Sequence, residues 1–104
     1  MNEQKLKGWL GLSLRAGQAV FGEDGCRKAV SKGRCALLLM DGGASMNTRK
    51  RYEAMSGRTG VRFYILPEGL MEEATGKPGM AMGIRTGSLA EQIITCLDQA
   101  EDDI

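Results

Sequence analysis

The chain has 104 residues, 42% hydrophobic and 26% charged, a composition typical of one globular domain spanning residues 1–104 and not of a disordered segment. No apolar run is long enough to cross a membrane, and the first residues lack the apolar stretch of a secretory signal, so we expect a cytoplasmic protein. Histidine is absent, which removes the commonest acid–base group and argues against an enzyme with catalytic residues.

The net charge of +1 conceals an uneven distribution along the chain. Residues 1–65 carry 12 Lys and Arg against 5 Asp and Glu, a net of +7, whereas residues 66–104 carry 2 against 8, a net of −6. This division predicts a polarised surface, and scattered solvated charge is the alternative interpretation.

Three cysteines, Cys26, Cys35 and Cys96, occur without a C-x-x-C pair. A zinc site would lack its fourth ligand unless a carboxylate supplied it, because there is no histidine. We therefore interpret the thiols as small core residues and expect neither a metal nor a cofactor.

Apolar periodicity and turn residues predict alternating helices and strands along the chain. In chain order these are a helix over 2–15, a strand over 19–21, a helix ending near Gly33, a strand over 35–40, a helix from Ser45 or Asn47 to about Ser56, a strand over 61–66, one or two helical turns over 70–75, a strand over 80–84 and a final helix from Ser88. The alternation predicts a three-layer α/β/α sandwich with a mixed sheet. From about residue 98 the chain is acidic, and we expect a frayed tail over 98–104.

The stretch from Phe21 to Met40 combines a glycine turn, a basic helix and a buried strand. Gly22 and Gly25 bracket two acids where the backbone turns into the helix. The cationic residues that follow are Arg27, Lys28, Lys32 and Arg34. Such an arrangement can present backbone N–H groups and positive charge to phosphate, although glycines with a purely structural role explain the turn equally well.

Two further loops are candidates for binding. The loop from Asp41 to Ala44 follows a strand at the edge where α/β sheets often bind ligands, and a plain connecting loop is the alternative. A second loop is rich in turn residues and consists of Thr75, Gly76, Lys77, Pro78 and Gly79. No helix is long and basic enough to read the DNA major groove, whereas glycine loops with lysine suit irregular RNA.

Three motifs together are similar to one known family. They are Leu10 to Gly17 (LGLSLRAG), Gly22 with Lys28 and Ala29, and Ala44 to Lys50 (ASMNTRK). The chain resembles the L-seven-Ae family of ribosomal proteins, which bind kink-turn RNA, and especially its small bacterial YlxQ-like branch. The resemblance extends from about residue 5 to residue 94.

The resemblance implies a four-stranded mixed sheet and an RNA site at the glycine turn, the basic helix and the loop 75–79. It implies close approach of the Gly22 backbone to RNA, base contacts at positions 24 and 25, and a backbone contact from Lys28. The family pair that bonds the guanine edges of sheared G·A pairs is usually Asn or Lys followed by Glu or Gln. Here Asp24 can accept from a guanine amino group but repels phosphate, and Gly25 has no side chain to bond a base.

We therefore predict a non-enzymatic, ribosome-associated or ribosomal-like RNA-binding protein that is monomeric. The predicted RNA-binding residues are Gly22, Glu23, Asp24, Gly25, Arg27, Lys28, Lys32, Arg34, Thr75, Gly76, Lys77, Pro78 and Gly79. The main alternative is a protein-interaction module on the same fold without direct RNA binding. A third is a small enzyme or nucleotide-binding domain that uses Asp41.

Overall fold

The computed structural model describes residues 2–102, in which α-helices alternate with β-strands. The elements are α1 Glu3–Arg15, β1 Ala19–Phe21, α2 Glu23–Ser31, β2 Cys35–Asp41, α3 Met46–Thr59, β3 Arg62–Leu66, α4 Leu70–Thr75, β4 Ala81–Arg85 and α5 Ser88–Asp102. Within residues 2–102, no helix combines the length and the apolarity needed to cross a membrane.

The four strands form one mixed sheet in the order β1-β4-β2-β3. β4 runs antiparallel to both of its neighbours, and β2 runs parallel to β3. At the centre of the sheet, Leu38 is opposite Gly83 on one side and Phe63 on the other. This sheet, with helices on both faces, confirms the predicted α/β/α sandwich.

Side-chain alternation along the strands produces two separate cores. Leu37 and Leu39 of β2 point to a core shared with α1, α4 and α5, where Leu6 and Ile93 are fully buried. Leu38 and Met40, together with Ala81 of β4, point to the other face and a core shared with α2 and α3. The central strand is therefore apolar at almost every position, as its sequence predicts.

The end of α3 differs from the prediction. The helix continues through Gly57 to Thr59, three residues beyond the predicted end near Ser56, and it ends within the segment 57–60 that was expected to close it. The residue that ends the helix is Gly60, whose φ of 76° is in the left-handed region and whose N–H donates to the Ser56 carbonyl. Gly57 and Gly60 were both candidates for the end of the helix, and Gly60 is the one that ends it.

The predicted acidic tail overlaps the last helix. α5 extends to Asp102, so residues 98–102 lie within the helix, and the fraying of this acidic segment stays a prediction. Asp98 accepts a hydrogen bond from the Tyr64 hydroxyl at 2.6 Å and pairs with Arg62 at 3.2 Å. These contacts join α5 to β3. The prediction for residues 103 and 104 lies outside the described residues.

Candidate functional site

The turn between β1 and α2 depends on Gly22. Its φ of 84° and ψ of 160° are a backbone conformation that residues with a Cβ rarely adopt. Gly22 is the N-cap of α2, and it has no side chain to bond the N–H groups of the first turn. The helix therefore begins with donors directed outward beside a turn that a ligand can approach closely.

Gly25 lets α2 pack directly on β1. A Cβ at this position would lie 2.9 Å from Cγ1 of Val20, closer than side-chain atoms normally approach. The glycine is therefore needed for the fit between the helix and the strand, which is the structural role that sequence analysis left open.

The inner face of α2 fixes the helix to the sheet. Cys26 is fully buried, and burial raises the pKa of its thiol to about 12. Its sulfur lies beside the sulfur of Cys35 over Gly83, where an added Cβ would lie 3.1 Å from Cys35 Sγ. Cys96 is also buried and free, so all three thiols are core residues as predicted.

The outer face of α2 forms one wall of a cationic groove. Its four cations come from α2, from the loop that follows it and from the end of β4: Lys28, Lys32, Arg34 and Arg85. Its floor is formed by Val20, Gly25 and Ala29, and its volume is about 220 Å³. Among the acidic residues from Glu3 to Asp98, none forms an ion pair with any of these four cations.

On the other flank of α2, Glu23 pairs with two arginines. Its Oε1 lies 2.7 Å from Nε of Arg51 on α3 and 3.3 Å from a nitrogen of Arg27. The hydrogen bond from Arg51 holds the pKa of Glu23 below its ordinary value, although desolvation opposes this. Arg27 also approaches the exposed Asp24 at 3.5 Å. Both acids of the turn therefore partly neutralise Arg27.

These side chains border a second cavity between α2 and α3. It has a volume of about 260 Å³, and Arg58 of α3 contributes a third guanidinium to it. Glu23 is the acid that lines it.

The loop of residues 75–79 lies against the end of β1, next to the Gly22 turn. Gly76 ends α4 with a φ of 72°, and Thr75 closes the turn by accepting from the Lys77 N–H at 3.2 Å. Nζ of Lys77 is 5.2 Å from the centre of the Phe21 ring, at the end of β1. The structure therefore brings the two predicted regions together. Pro78 and Gly79 are exposed in this same loop.

Asp41 has a structural role at the end of β2. It is only 5% exposed, and its carboxylate accepts from the N–H groups of Gly43 at 2.7 Å and Gly69 at 2.8 Å. Asp41 therefore joins the β2–α3 loop to the β3–α4 loop. Both of its oxygens are engaged, which supports the plain-loop interpretation of residues 41–44 over a ligand site.

The RNA-binding residues predicted from the sequence do not include three arginines that line the two cavities: Arg51, Arg58 and Arg85. A signal for Arg85 existed, since Ala81, Gly83 and Arg85 alternate along β4 and share the face that α2 covers. This alternation places Arg85 beside α2 only when the order of the strands in the sheet is known.

Comparison with known proteins finds similarity in structure but no match to a family model or to a curated protein. A protein of unknown function from Bacillus halodurans is 24% identical, with 90% of this chain and 97% of that one covered and a TM-score of 0.85. A 15.5 kD RNA binding protein of Giardia lamblia is 12% identical, with 92% and 87% covered and a TM-score of 0.72.

A third similar structure is the Pelota protein of Thermoplasma acidophilum, which is 15% identical with a TM-score of 0.62. The match covers 81% of this chain but only 28% of that longer one. At these identities the likenesses establish a shared fold. Membership of the L-seven-Ae family stays a prediction.

Proposed function

We propose that this protein binds structured RNA through the outer face of α2 and the two loops beside it. The observation that carries the proposal is the cationic groove, where four side chains from three segments surround one cavity and pair with none of the acidic residues from Glu3 to Asp98. Like charges held around one cavity repel each other, and a polyanion relieves that repulsion. The Giardia lamblia protein of similar fold is described as RNA-binding, which supports the choice of RNA.

Each part of the surface has a separate role in this proposal. The Gly22 turn allows the RNA backbone to approach the first N–H groups of α2. Lys28, one turn into α2, neutralises a phosphate. Lys77 lies over the ring of Phe21 at the end of β1, so it joins the loop 75–79 to that strand and keeps its charge available to RNA. Phosphate contacts of this kind position the RNA, whereas base contacts at the turn give specificity.

The finer proposal is that the bound RNA contains a kink-turn and belongs to the ribosome. It is supported by the resemblance described above, with Gly22 at the helix start and Lys28 in the expected place. Since Gly25 has no side chain, base recognition at that position falls to backbone N–H groups and to the neighbouring Asp24. A monomeric state stays a prediction.

The proposal is tested by measuring RNA affinity at several salt concentrations for the wild type, Lys28→Gln and Lys77→Gln. The logarithm of the affinity falls by roughly 0.7–0.9 for each phosphate contact per tenfold rise in salt. Each variant should bind more weakly and reduce the salt slope by about one. Lys5→Gln is the matched control, because Lys5 is exposed on α1, which packs on the opposite face of the sheet.

Equal slopes for all four proteins would contradict the placement of the site. A partner that is captured from extracts and survives nuclease treatment, with no direct RNA binding by the pure protein, would favour the protein-interaction alternative instead.

A further inference from the structure

The cationic groove includes two arginines that belong neither to the glycine turn nor to α2. Lys28 on α2 and Lys32, the C-cap of that helix, lie one helical turn apart and form one wall. The far end of the groove is built from different segments: Arg34 follows the helix, and Arg85 ends β4. Neither of these two arginines belongs to the glycine turn, which lies about 14 Å away along the nine residues of α2.

The backbone holds this arginine pair in place. The Arg85 N–H donates to the Gln18 carbonyl at 2.8 Å, and the Thr86 N–H donates to the Arg34 carbonyl at 3.0 Å. In the sheet, Arg85 pairs with Cys35, the residue that follows Arg34. The backbone of Arg85, in β4, and that of Arg34, in the loop residue just before β2, are therefore both held at the edge of the sheet where β2 begins and β4 ends.

The floor of the groove strengthens the effect of its charges. Val20, Ala29 and Gly25 give it an apolar surface, in which Gly25 packs directly against Val20. An anion above an apolar floor is less well screened by water, so its attraction to nearby cations is stronger than at an open surface. Arginine suits this position, because its planar guanidinium can bond two oxygens of one phosphate.

We infer that Arg34 and Arg85 form a second phosphate anchor, which binds the backbone of an RNA strand continuing along α2 beyond the glycine turn. This inference rests on the proposed function and extends it, since it makes the binding surface run the length of the helix. RNA that ends at the turn would leave the arginine pair unused and bind more weakly than RNA that continues past it.

The first test uses inorganic triphosphate as the probe and needs no RNA. Backbone amide signals of Val20, Gly25, Ala29 and Arg85 are followed by NMR during the titration. We expect saturable shifts at these amides in the wild type, and a loss of saturation in the Arg34→Gln/Arg85→Gln double variant. Unchanged signals at the groove, or equal shifts in both proteins, would overturn the anchor.

The second test measures RNA affinity and its salt slope for the same double variant. Lys5→Gln is again the control, because it removes an exposed cation from α1 on the other face of the sheet. The groove variant should lose on the order of tenfold or more in affinity and reduce the salt slope by about two, whereas the control should match the wild type.

The two tests separate the possible failures. If the wild type binds RNA and the groove variant matches the control, the anchor is wrong and the proposed function stands. If triphosphate saturates the groove but no RNA binds, the groove takes small polyphosphates, and both the RNA anchor and the proposed function are overturned.

Discussion

At the scale of single residues, Gly25 determines how closely α2 packs on β1. Alanine is the better helix former by about 1 kcal/mol, but its Cβ would meet Val20 at 2.9 Å. Relieving such an overlap typically costs about 1–3 kcal/mol. We therefore expect Gly25→Ala to lower the free energy of unfolding by about 1 kcal/mol in urea titrations.

Gly8→Ala provides the matched control, because Gly8 lies within α1 with open space around it. That substitution should stabilise the protein by roughly 0.5–1 kcal/mol. In a Val20→Ala background, Gly25→Ala should cost less, since the overlap is removed. A Gly25→Ala variant that behaves like Gly8→Ala would show that the contact with Val20 has no importance.

Cys26 makes stability depend on pH in the alkaline range. Burial raises the pKa of its thiol from 9.0 to about 12, so the unfolded chain loses this proton at a lower pH than the folded one. Its stabilising contribution is complete below pH 9 and is lost as pH rises towards 12. Burial also raises the pKa of Tyr52, which adds to the decline.

Urea titrations between pH 8 and 11 should therefore show falling stability, with a smaller decline for Cys26→Ala than for the wild type. Iodoacetamide should leave the native thiols unmodified at pH 8, because all three are buried. Rapid labelling of Cys26 in the folded protein, or identical pH profiles for the two proteins, would refute this explanation.

At the scale of the elements, Glu23 connects α2 to α3 and neutralises part of the basic surface. It pairs with Arg51 and Arg27, and the surrounding surface is otherwise cationic. Glu23→Gln should therefore strengthen RNA binding and steepen its salt dependence, because two arginines become available to phosphate. Its effect on stability should be under about 1 kcal/mol, as is usual for exposed ion pairs.

Glu53→Gln is the control for Glu23, since it releases one arginine, Arg49, within α3 alone. Weaker RNA binding by Glu23→Gln would mean that the Glu23 carboxylate contacts RNA directly. That outcome would agree with its place among the residues predicted from the sequence and would contradict a purely neutralising role.

Asp41 joins two loops at the end of the central strands. In Asp41→Asn, an amide NH₂ would face one of the N–H groups that now donate to the carboxylate. Leaving a buried group unsatisfied costs about 1–3 kcal/mol, so the variant should unfold at lower urea concentration. Asp24→Asn, an exposed change of the same kind, should stay within about 0.5 kcal/mol of the wild type. Equal stability of the two variants would show that the hydrogen bonds from Asp41 to the two loops do not stabilise the fold.

At the scale of the whole molecule, the division of charge along the chain corresponds to two faces of the sandwich. The basic helix α3, and α2 with the cations Lys32 and Arg34 that follow it, cover one face of the sheet, and the acidic segments α4 and α5 cover the other, together with α1. Lys7 of α1 pairs with Glu73 of α4 at 2.9 Å, so part of the charge on that face is internally neutralised. Beside α2, by contrast, the four cations of the groove pair with none of the acidic residues from Glu3 to Asp98.

The sequence predicts the fold well because apolar runs and turn glycines act locally. The inner face of α2, with Cys26 and Val30, follows from helical spacing alone, and the bounds of β1 follow from the glycine after Phe21. The role of Arg85 depends on strand pairing across the sheet, which local spacing cannot reveal. The partner of Glu23 lies 28 positions away on α3, and for the same reason no local pattern predicts it.

The most direct test of RNA binding is a titration of the wild-type protein with two RNAs of equal length, one containing a kink-turn and one a plain duplex, at several salt concentrations. We predict saturable binding that weakens steeply with salt and prefers the kink-turn. Equal binding to both would remove the kink-turn proposal and retain RNA binding. No binding to either RNA at low salt would contradict the assignment of the α2 surface to RNA.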